Sequence, residues 1–440
     1  MIKINKMPKI DGELGWFETA SSNSLQIGKR LKGSFECDFL IIGAGYTGIS
    51  LAHRLAELNS DAKIIVVDAL RIGQGTSGRN AGFIIDLPHN LDAGAPNVEA
   101  DRYIHHLNCF SINRLKNFKE KFNIDCNWQQ AGKYLTAHEE SNFSGLDSFK
   151  KTLTASNFEY IELEGKDLSK RLGTTYYKKA IYTPGNILMN PSALIRGVAS
   201  GLPKNVEVYE ESPVISCEYS DTHIVKTVGG VVKAKNLIHT VNSYTEEFGL
   251  EKNKLAPVFT YASLTKPLSP EEMKKYFHGI KPWGLTSAHP AGTTVRLTPD
   301  NRIFVRNVLD FEPSLQSKYD GLDNAWKQHR LSFEARFPHL KHLVFEYTWG
   351  GMLCMTLNHQ SIFKKFANNL FVIGGCNGVG VAKGTYLGYF MADYISNVKS
   401  DELDFILKNS SPSYVPPDPF RTIGARMRLK YESRSAGGDI

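Results

Sequence analysis

Four apolar residues, Phe39-Leu-Ile-Ile42, run without a break and stop at Gly43. A short apolar run closed by glycine predicts a strand buried on both faces. After Gly43-Ala-Gly-Tyr-Thr-Gly48 the period changes. Ile49, Leu51, Ala52, Leu55 and Leu58 then recur at roughly helical spacing and make one apolar face. Residues 63–67 read as the next strand, ending at Asp68. The stretch Arg71-Ile-Gly-Gln-Gly-Thr-Ser-Gly-Arg-Asn-Ala-Gly-Phe83 holds four glycines and no helical period. That composition predicts a loop whose backbone must approach something closely.

Further on, Tyr103, Ile104, Leu107, Phe110, Leu115, Phe118 and Phe122 predict an amphipathic helix over 101–122. Residues 131–188 mix short strands with polar helices. Segments 205–214, 224–228 and 236–241 read as short strands, and 295–297 with 303–305 as hairpin arms around Thr298-Pro-Asp-Asn301. A late strand at 370–373 opens into Gly374-Gly-Cys-Asn-Gly-Val-Gly380, followed by a helix with Leu387, Phe390, Met391, Tyr394 and Ile395 inward. Residues 409–419 are rich in Ser and Pro, and 421–430 form a basic tail predicted as a surface helix.

The two Gly-rich strand-to-helix turns lie more than 300 residues apart. They suggest one nucleotide-binding domain assembled from separate pieces, with a substrate domain inserted between them. The expected division is a lead-in at 1–34, a nucleotide-binding domain of 35–95, 185–245 and 345–400, a substrate domain of 96–184 and 246–344, and a strap with a basic tail at 401–440.

The first turn carries chemistry. Gly43 makes the bend, Gly45 lets a pyrophosphate reach the backbone, and Gly48 lets helix and strand pack closely. A pyrophosphate there meets free N–H groups at the positive end of the helix. Asp68, twenty residues past Gly48, stands where a ribose hydroxyl is held. The expectation is a bound dinucleotide.

Bulk properties narrow the class. The chain has 440 residues, 42% hydrophobic and 22% charged, with a formal net charge of +7. That charge is mild for the length, and no basic stripe with interleaved aromatics points to nucleic acid. Cysteines 37, 109, 126, 217, 354 and 376 make no Cys-x-x-Cys pair, which argues against structural zinc and for free thiols. His105-His106 and the pair His339 and His342 have no third ligand nearby and read as surface or packing residues. The first ten residues lack an apolar targeting stretch and no run is long enough to span a bilayer, so a cytoplasmic protein is expected.

Three segments in order resemble the D-amino acid oxidase superfamily of FAD-dependent oxidoreductases. They are 66–83 with its Asp68 and Gly-rich loop, Trp349-Gly-Gly-Met-Leu-Cys-Met-Thr356, and Leu370-Phe-Val-Ile-Gly-Gly-Cys-Asn-Gly-Val-Gly380. Within it the chain is most similar to the glycine/sarcosine oxidase group, in its gamma-glutamylputrescine oxidoreductase branch. The resemblance implies an α/β fold: a Rossmann-like FAD-binding domain with a parallel sheet, and an α+β substrate domain with a large mixed sheet. It implies FAD contacts at Gly43, Gly45, Tyr46, Thr47, Gly48, Asp68 and Ala69 and along Gly75, Thr76, Ser77, Arg79, Asn80, Ala81 and Gly82. Val214 is expected at the adenine. Gly351, Cys354, Gly375, Asn377, Gly378, Val379 and Gly380 are expected at the flavin.

The implied reaction is oxidation of the CH–NH bond of an amine or amino acid to an imine, by hydride transfer to flavin N5 and then hydrolysis. Such a site aligns C–H with N5, excludes water and stabilises charge at the flavin N1–C2=O edge. The turn at 378–380, followed by a helix, suits the last task. Candidate catalytic residues are Arg79, Asn80, Arg302 and Lys383. Arg302 and Arg306 share a strand face, and a guanidinium suits a carboxylate, although a solvated face is the plainer reading for any one arginine. Cys354-Met355 resembles the context in which sarcosine oxidases attach flavin covalently, while related sequences bind it without a bond; both remain open. Lys383 falls one residue from a substrate-binding lysine of that group, and the 302–306 strand lacks the lysine that helps oxygen react there. O2 and another electron acceptor are therefore both open. The alternatives are a flavin dehydrogenase passing electrons to a quinone or carrier protein, and a flavoprotein subunit of a larger complex.

Overall fold

The computed structural model describes residues 1–9, 11–88 and 97–440. Its architecture rests on two large sheets. In the nine-stranded sheet, Gly33–Ile42 pairs in parallel with Ile64–Val67 and with Gly230–His239. Val206–Tyr209 and Leu370–Gly374 extend this parallel centre on opposite sides. Ile42 lies opposite both Val67 and His239, so three strand ends meet at one level. Gly43, Asp68 and Thr240 follow directly from those ends.

The unbroken apolar run is explained by burial on both faces. Phe39 and Ile41 pack toward the helices Tyr46–Leu58 and Gly380–Ile395, while Leu40 and Ile42 join a second core with Val67, Leu237 and Val372. These two helices cross tightly. A Cβ on Gly388 would stand 2.2 Å from the Thr47 carbonyl, and one on Gly384 would stand 2.8 Å from Thr47 Oγ1. Ser50 Oγ also donates to the Thr385 carbonyl at 2.7 Å. The crossing holds the first turns of both helices close together, although their sequences are more than 300 residues apart.

The eight-stranded sheet is mixed. Its strands follow the order Phe345–Met355, Ala256–Thr265, Ile303–Phe311, Thr294–Leu297, Trp283–Ser287, Lys133–Ala137, Lys179–Thr183 and Ile161–Glu164. Only Trp283–Ser287 with Lys133–Ala137 is parallel. The hairpin expected around 298–301 is present, with Leu297 opposite Ile303 and Asn301 at φ 60°. The helix expected at 101–122 spans Val98–Lys121.

One expectation needs correction. Residues 345–355 were assigned to the nucleotide-binding domain, yet Phe345–Met355 pairs along the whole of Ala256–Thr265 at the edge of the mixed sheet. The 1–34 lead-in lacks periodicity because it is mostly irregular, but it is firmly packed. Leu14, Trp16 and Phe17 are buried with Phe304 and Trp349, and Trp16 stacks on Phe304 with ring centroids 5.3 Å apart. No helix among the described residues is long and apolar enough to cross a membrane.

Candidate active site

Between the sheets lies a cavity of about 820 Å³, within the range of small-molecule and cofactor sites. Gly43, Gly45, Tyr46 and Thr47 form one end of its wall. Gly43 sits at φ 106°, and a Cβ there would lie 2.8 Å from the Thr240 carbonyl. A Cβ on Gly45 would meet Ser77 Oγ at 2.6 Å. Gly48 does not line the cavity. Its missing Cβ would fall 1.9 Å from the Gly43 carbonyl oxygen, which explains its place in helix–strand packing. The helix Tyr46–Leu58 has no side-chain cap, although Tyr46 N–H donates to Ser77 Oγ at 3.1 Å.

Asp68 and Ala69 border the same end. Asp68 accepts from Ala44 N–H at 2.7 Å and from Leu70 N–H at 2.9 Å, which fixes its carboxylate. Burial pushes its pKa up against those two donors. Val214 lies nearby on the cavity wall.

The loop contributes Gly75, Thr76, Ser77, Arg79, Asn80 and Ala81. The two polar side chains proposed as catalytic are largely engaged in holding this loop. Arg79 Nε donates to the Gln74 carbonyl at 2.7 Å, and Nη1 donates to the Asp11 and Gly350 carbonyls, each at 2.8 Å. Only Nη2 has no protein partner. Asn80 Nδ2 donates to the Ser77 carbonyl at 2.7 Å, and its Oδ1 accepts from Gly82 N–H at 2.8 Å. Gly82 itself stands behind the wall, clamped by Arg296, whose buried Nη1 donates to the Ala81, Gly82 and Met189 carbonyls. Trp16 Nε1 donates to the Asn80 carbonyl at 3.0 Å, a contact with no signal in the sequence pattern.

At the other end, Gly351, Asn377, Gly378, Val379 and Gly380 line the cavity. Asn377, at φ 52°, ties the late turn to the mixed sheet. Its N–H donates to the Cys354 carbonyl at 2.9 Å, and its Oδ1 accepts from Thr356 N–H at 2.8 Å. Gly378 has φ 80° and open space where a Cβ would stand. Gly375 lies just outside, its N–H donating to Asn242 Oδ1 at 3.0 Å. The helix Gly380–Ile395 starts here without a side-chain cap, so its first N–H groups point at the cavity end.

Three side chains depart from expectation. Cys354 does not line the cavity; it is fully buried in the core beside Leu40, Ile42 and Val67, and burial pushes its thiol pKa far up. Strand alternation turns it away from the flavin side. Cys376, read from the sequence as packing, is the cysteine on the cavity wall, its Sγ receiving Asn242 Nδ2 at 3.3 Å. Arg302 also lies outside. It donates to Asp300 Oδ2 at 2.9 Å and to the Thr265 carbonyl at 2.8 Å, and pairs with Glu346. Arg306, on the same strand face four residues on, reaches the cavity instead. Four strand residues span about 13 Å, so a shared face did not mean a shared site.

Arg306 and Lys383 are the exceptional groups. Arg306 has one long hydrogen bond, Nη1 to Thr294 Oγ1 at 3.5 Å, and no ion pair is found for it among the described residues. Lys383 Nζ has no hydrogen-bond or carboxylate partner among the described residues. Burial alone pulls Arg306 down to about 10, and burial is the main cause pulling Lys383 down to about 8. Buried cations with no ion pair among the described residues call for an anion. No cluster of His, Cys, Asp or Glu suited to a metal occurs among the described residues, and His106 and His342 pair with Glu402 and Glu272.

Residues 38–394 match the FAD dependent oxidoreductase (DAO) family. The chain belongs to this family. It is 25% identical over 426 residues to gamma-glutamylputrescine oxidoreductase of Escherichia coli, covering 93% of this chain and 96% of that one. It is 24% identical over 370 residues to a probable oxidoreductase OrdL of Haemophilus influenzae, covering 81% and 82%. Glycine oxidase from Geobacillus kaustophilus shares the fold, with a TM-score of 0.69 at 15% identity over 83% of this chain and 96% of that one. The cavity fits the family's FAD. Its glycines leave a cradle that Cβ atoms would fill, Asp68 presents a fixed carboxylate, and the helix starts at 46 and 380 face one space. The protein is an FAD-dependent oxidoreductase.

Proposed function

We propose that the chain oxidises a carboxylate-bearing amine or amino acid to its imine. Two cations with no ion pair among the described residues, Lys383 and Arg306, on the wall of the FAD cavity carry this reading. Bound FAD supplies the hydride acceptor. Lys383 and Arg306 hold the substrate carboxylate, a charge-assisted contact that fixes which C–H faces the cofactor. Gly378 lets the backbone approach with open space where a side chain would stand, and Gly351 lets its strand pack against Arg79. The N–H groups at the start of Gly380–Ile395 stabilise negative charge growing at that end of the cavity. Released imine takes up water and gives an aldehyde or keto acid and an amine or ammonia. The likeness to gamma-glutamylputrescine oxidoreductase supports an amine as the oxidised group.

A second reading concerns the acceptor. The cavity-facing residues of strand Ile303–Phe311 are Arg306 and Leu309 and not a lysine, which favours transfer to a quinone or carrier protein over O2. Anaerobic mixing of the FAD-loaded protein with a panel of amines tests the first reading. Bleaching by carboxylate-bearing amines, and its loss in Arg306→Met, is expected; bleaching by none of the panel refutes it. Turnover with a dye acceptor but without peroxide supports the second.

A further inference from the structure

The last helix, Phe420–Ser435, packs by one side and leaves an apolar stripe on the other. Its inner side packs on the protein, where Leu429 and Glu432 line the cavity. Its outer side bears Phe420, Ile423, Met427 and Tyr431, which are 70%, 54%, 69% and 66% exposed. Their spacing of three, four and four residues places them in one stripe about 16 Å long. Large apolar side chains grouped on a surface mark an interaction site more often than isolated ones do.

The charges beside the stripe decide its partner. Arg426, Arg428, Lys430 and Arg434 are all exposed and flank it, Arg426 lying 3.6 Å from Glu312 just past the strand Ile303–Phe311. The one carboxylate of the helix, Glu432, is buried, pairs with Arg428, and lies 3.4 Å from His289. Lys430 and Arg434 have no ion pair among the described residues. The exposed face is thus apolar along its centre, cationic at its margins and free of acid. A second copy of this chain is a poor occupant, because a two-fold contact would set this cationic face against itself. A helix lying on an anionic lipid surface meets both demands: apolar side chains enter the headgroup boundary, and Lys and Arg meet the phosphates.

We propose that Phe420–Ser435 docks the enzyme peripherally on an anionic phospholipid surface. The helix lies flat and does not span the bilayer. Because its inner side lines the cavity, docking brings that wall of the cavity to within about one helix diameter, roughly 10 Å, of the lipid.

Flotation of the full-length FAD-loaded protein with vesicles tests this. Binding is expected to vesicles of mixed phosphatidylcholine and phosphatidylglycerol but not to phosphatidylcholine alone, and it should weaken as salt rises. Lys430→Glu with Arg434→Glu is expected to lower partitioning more than about 30-fold. Met427→Ser with Tyr431→Ser is expected to lower it at least about tenfold. Both variants should keep the flavin spectrum and turnover with a soluble dye, since these side chains touch neither cavity nor core. Three results overturn the proposal: no binding to the anionic vesicles, binding that survives both variants, or a dimer in light scattering that Met427→Ser with Tyr431→Ser dissociates.

Discussion

Replacing Lys383 by methionine separates stability from function. The side chain keeps its length and loses its charge. Burial lowers the amine from its ordinary 10.5 to about 8, with no carboxylate partner among the described residues. The full difference corresponds to about 3 kcal/mol, and water in the open cavity screens part of it, leaving about 1–3 kcal/mol. The sign follows from proton binding. Below about pH 8 the lysine is charged in both folded and unfolded chains, and the folded state bears the whole penalty. Between about pH 8 and 10.5 the folded amine is neutral while the unfolded one still holds its proton, so stability rises with pH and the penalty fades. Lys383→Met apoprotein is therefore more stable than the parent at pH 7 and equal to it above pH 10.5. An unfolding entropy of about 2.1 cal/mol/K per residue converts this to a Tm rise of about 1–3 °C.

Activity moves the other way. A lost charge-assisted hydrogen bond of about 1.5–3 kcal/mol lowers kcat/KM for a carboxylate-bearing amine about 10- to 150-fold. A neutral amine is unaffected. In the parent, kcat/KM for the carboxylate substrate falls as pH rises past about 8, and Lys383→Arg keeps it higher there. Scanning calorimetry at two pH values and initial rates with the two substrates read both effects. A variant no more stable at pH 7 refutes the burial argument. An equal loss with charged and neutral substrates refutes the anion-binding role.

Gly48→Ala forces a methyl into a gap of 1.9 Å from a backbone oxygen, so it is expected to cost about 1–3 kcal/mol and to release FAD on gel filtration. Gly380→Ala, whose nearest contact would be Cys376 Cβ at 3.3 Å, should keep its flavin under the same conditions. Arg302→Ala leaves kcat/KM within about twofold of the parent, because its contacts are peripheral ion pairs of small worth; a larger loss would return it to the site. Denatured protein is expected to carry no flavin mass on the peptide that holds Cys354, since that thiol lies in the core, and a flavin adduct mapped to Cys354 contradicts that placement.

Period, glycine and charge in the chain were enough to mark the two Gly-rich corners that border the cavity, Asp68 and the hairpin, because each depends on neighbours within a few residues. A strand followed by Gly43, Gly45 and Gly48 has few other ways to fold, and unbroken apolar runs report burial on both faces locally. What side chains face was another matter. Arg302 and Arg306 are equivalent by strand parity, and only the sheet's position over the cavity separates the ion-paired one from the unpaired one. Cys354 had the right neighbours in sequence, but the pairing of Phe345–Met355 with the mixed sheet turns its thiol into the core. Arg79 reads as free in a Gly-rich loop, yet two of its partners, the Asp11 and Gly350 carbonyls, come from distant chain, whereas Asn80 is held locally by Ser77 and Gly82. Local backbone demands are written in consecutive residues; the direction of a side chain and the charge it meets belong to packing between segments hundreds of residues apart.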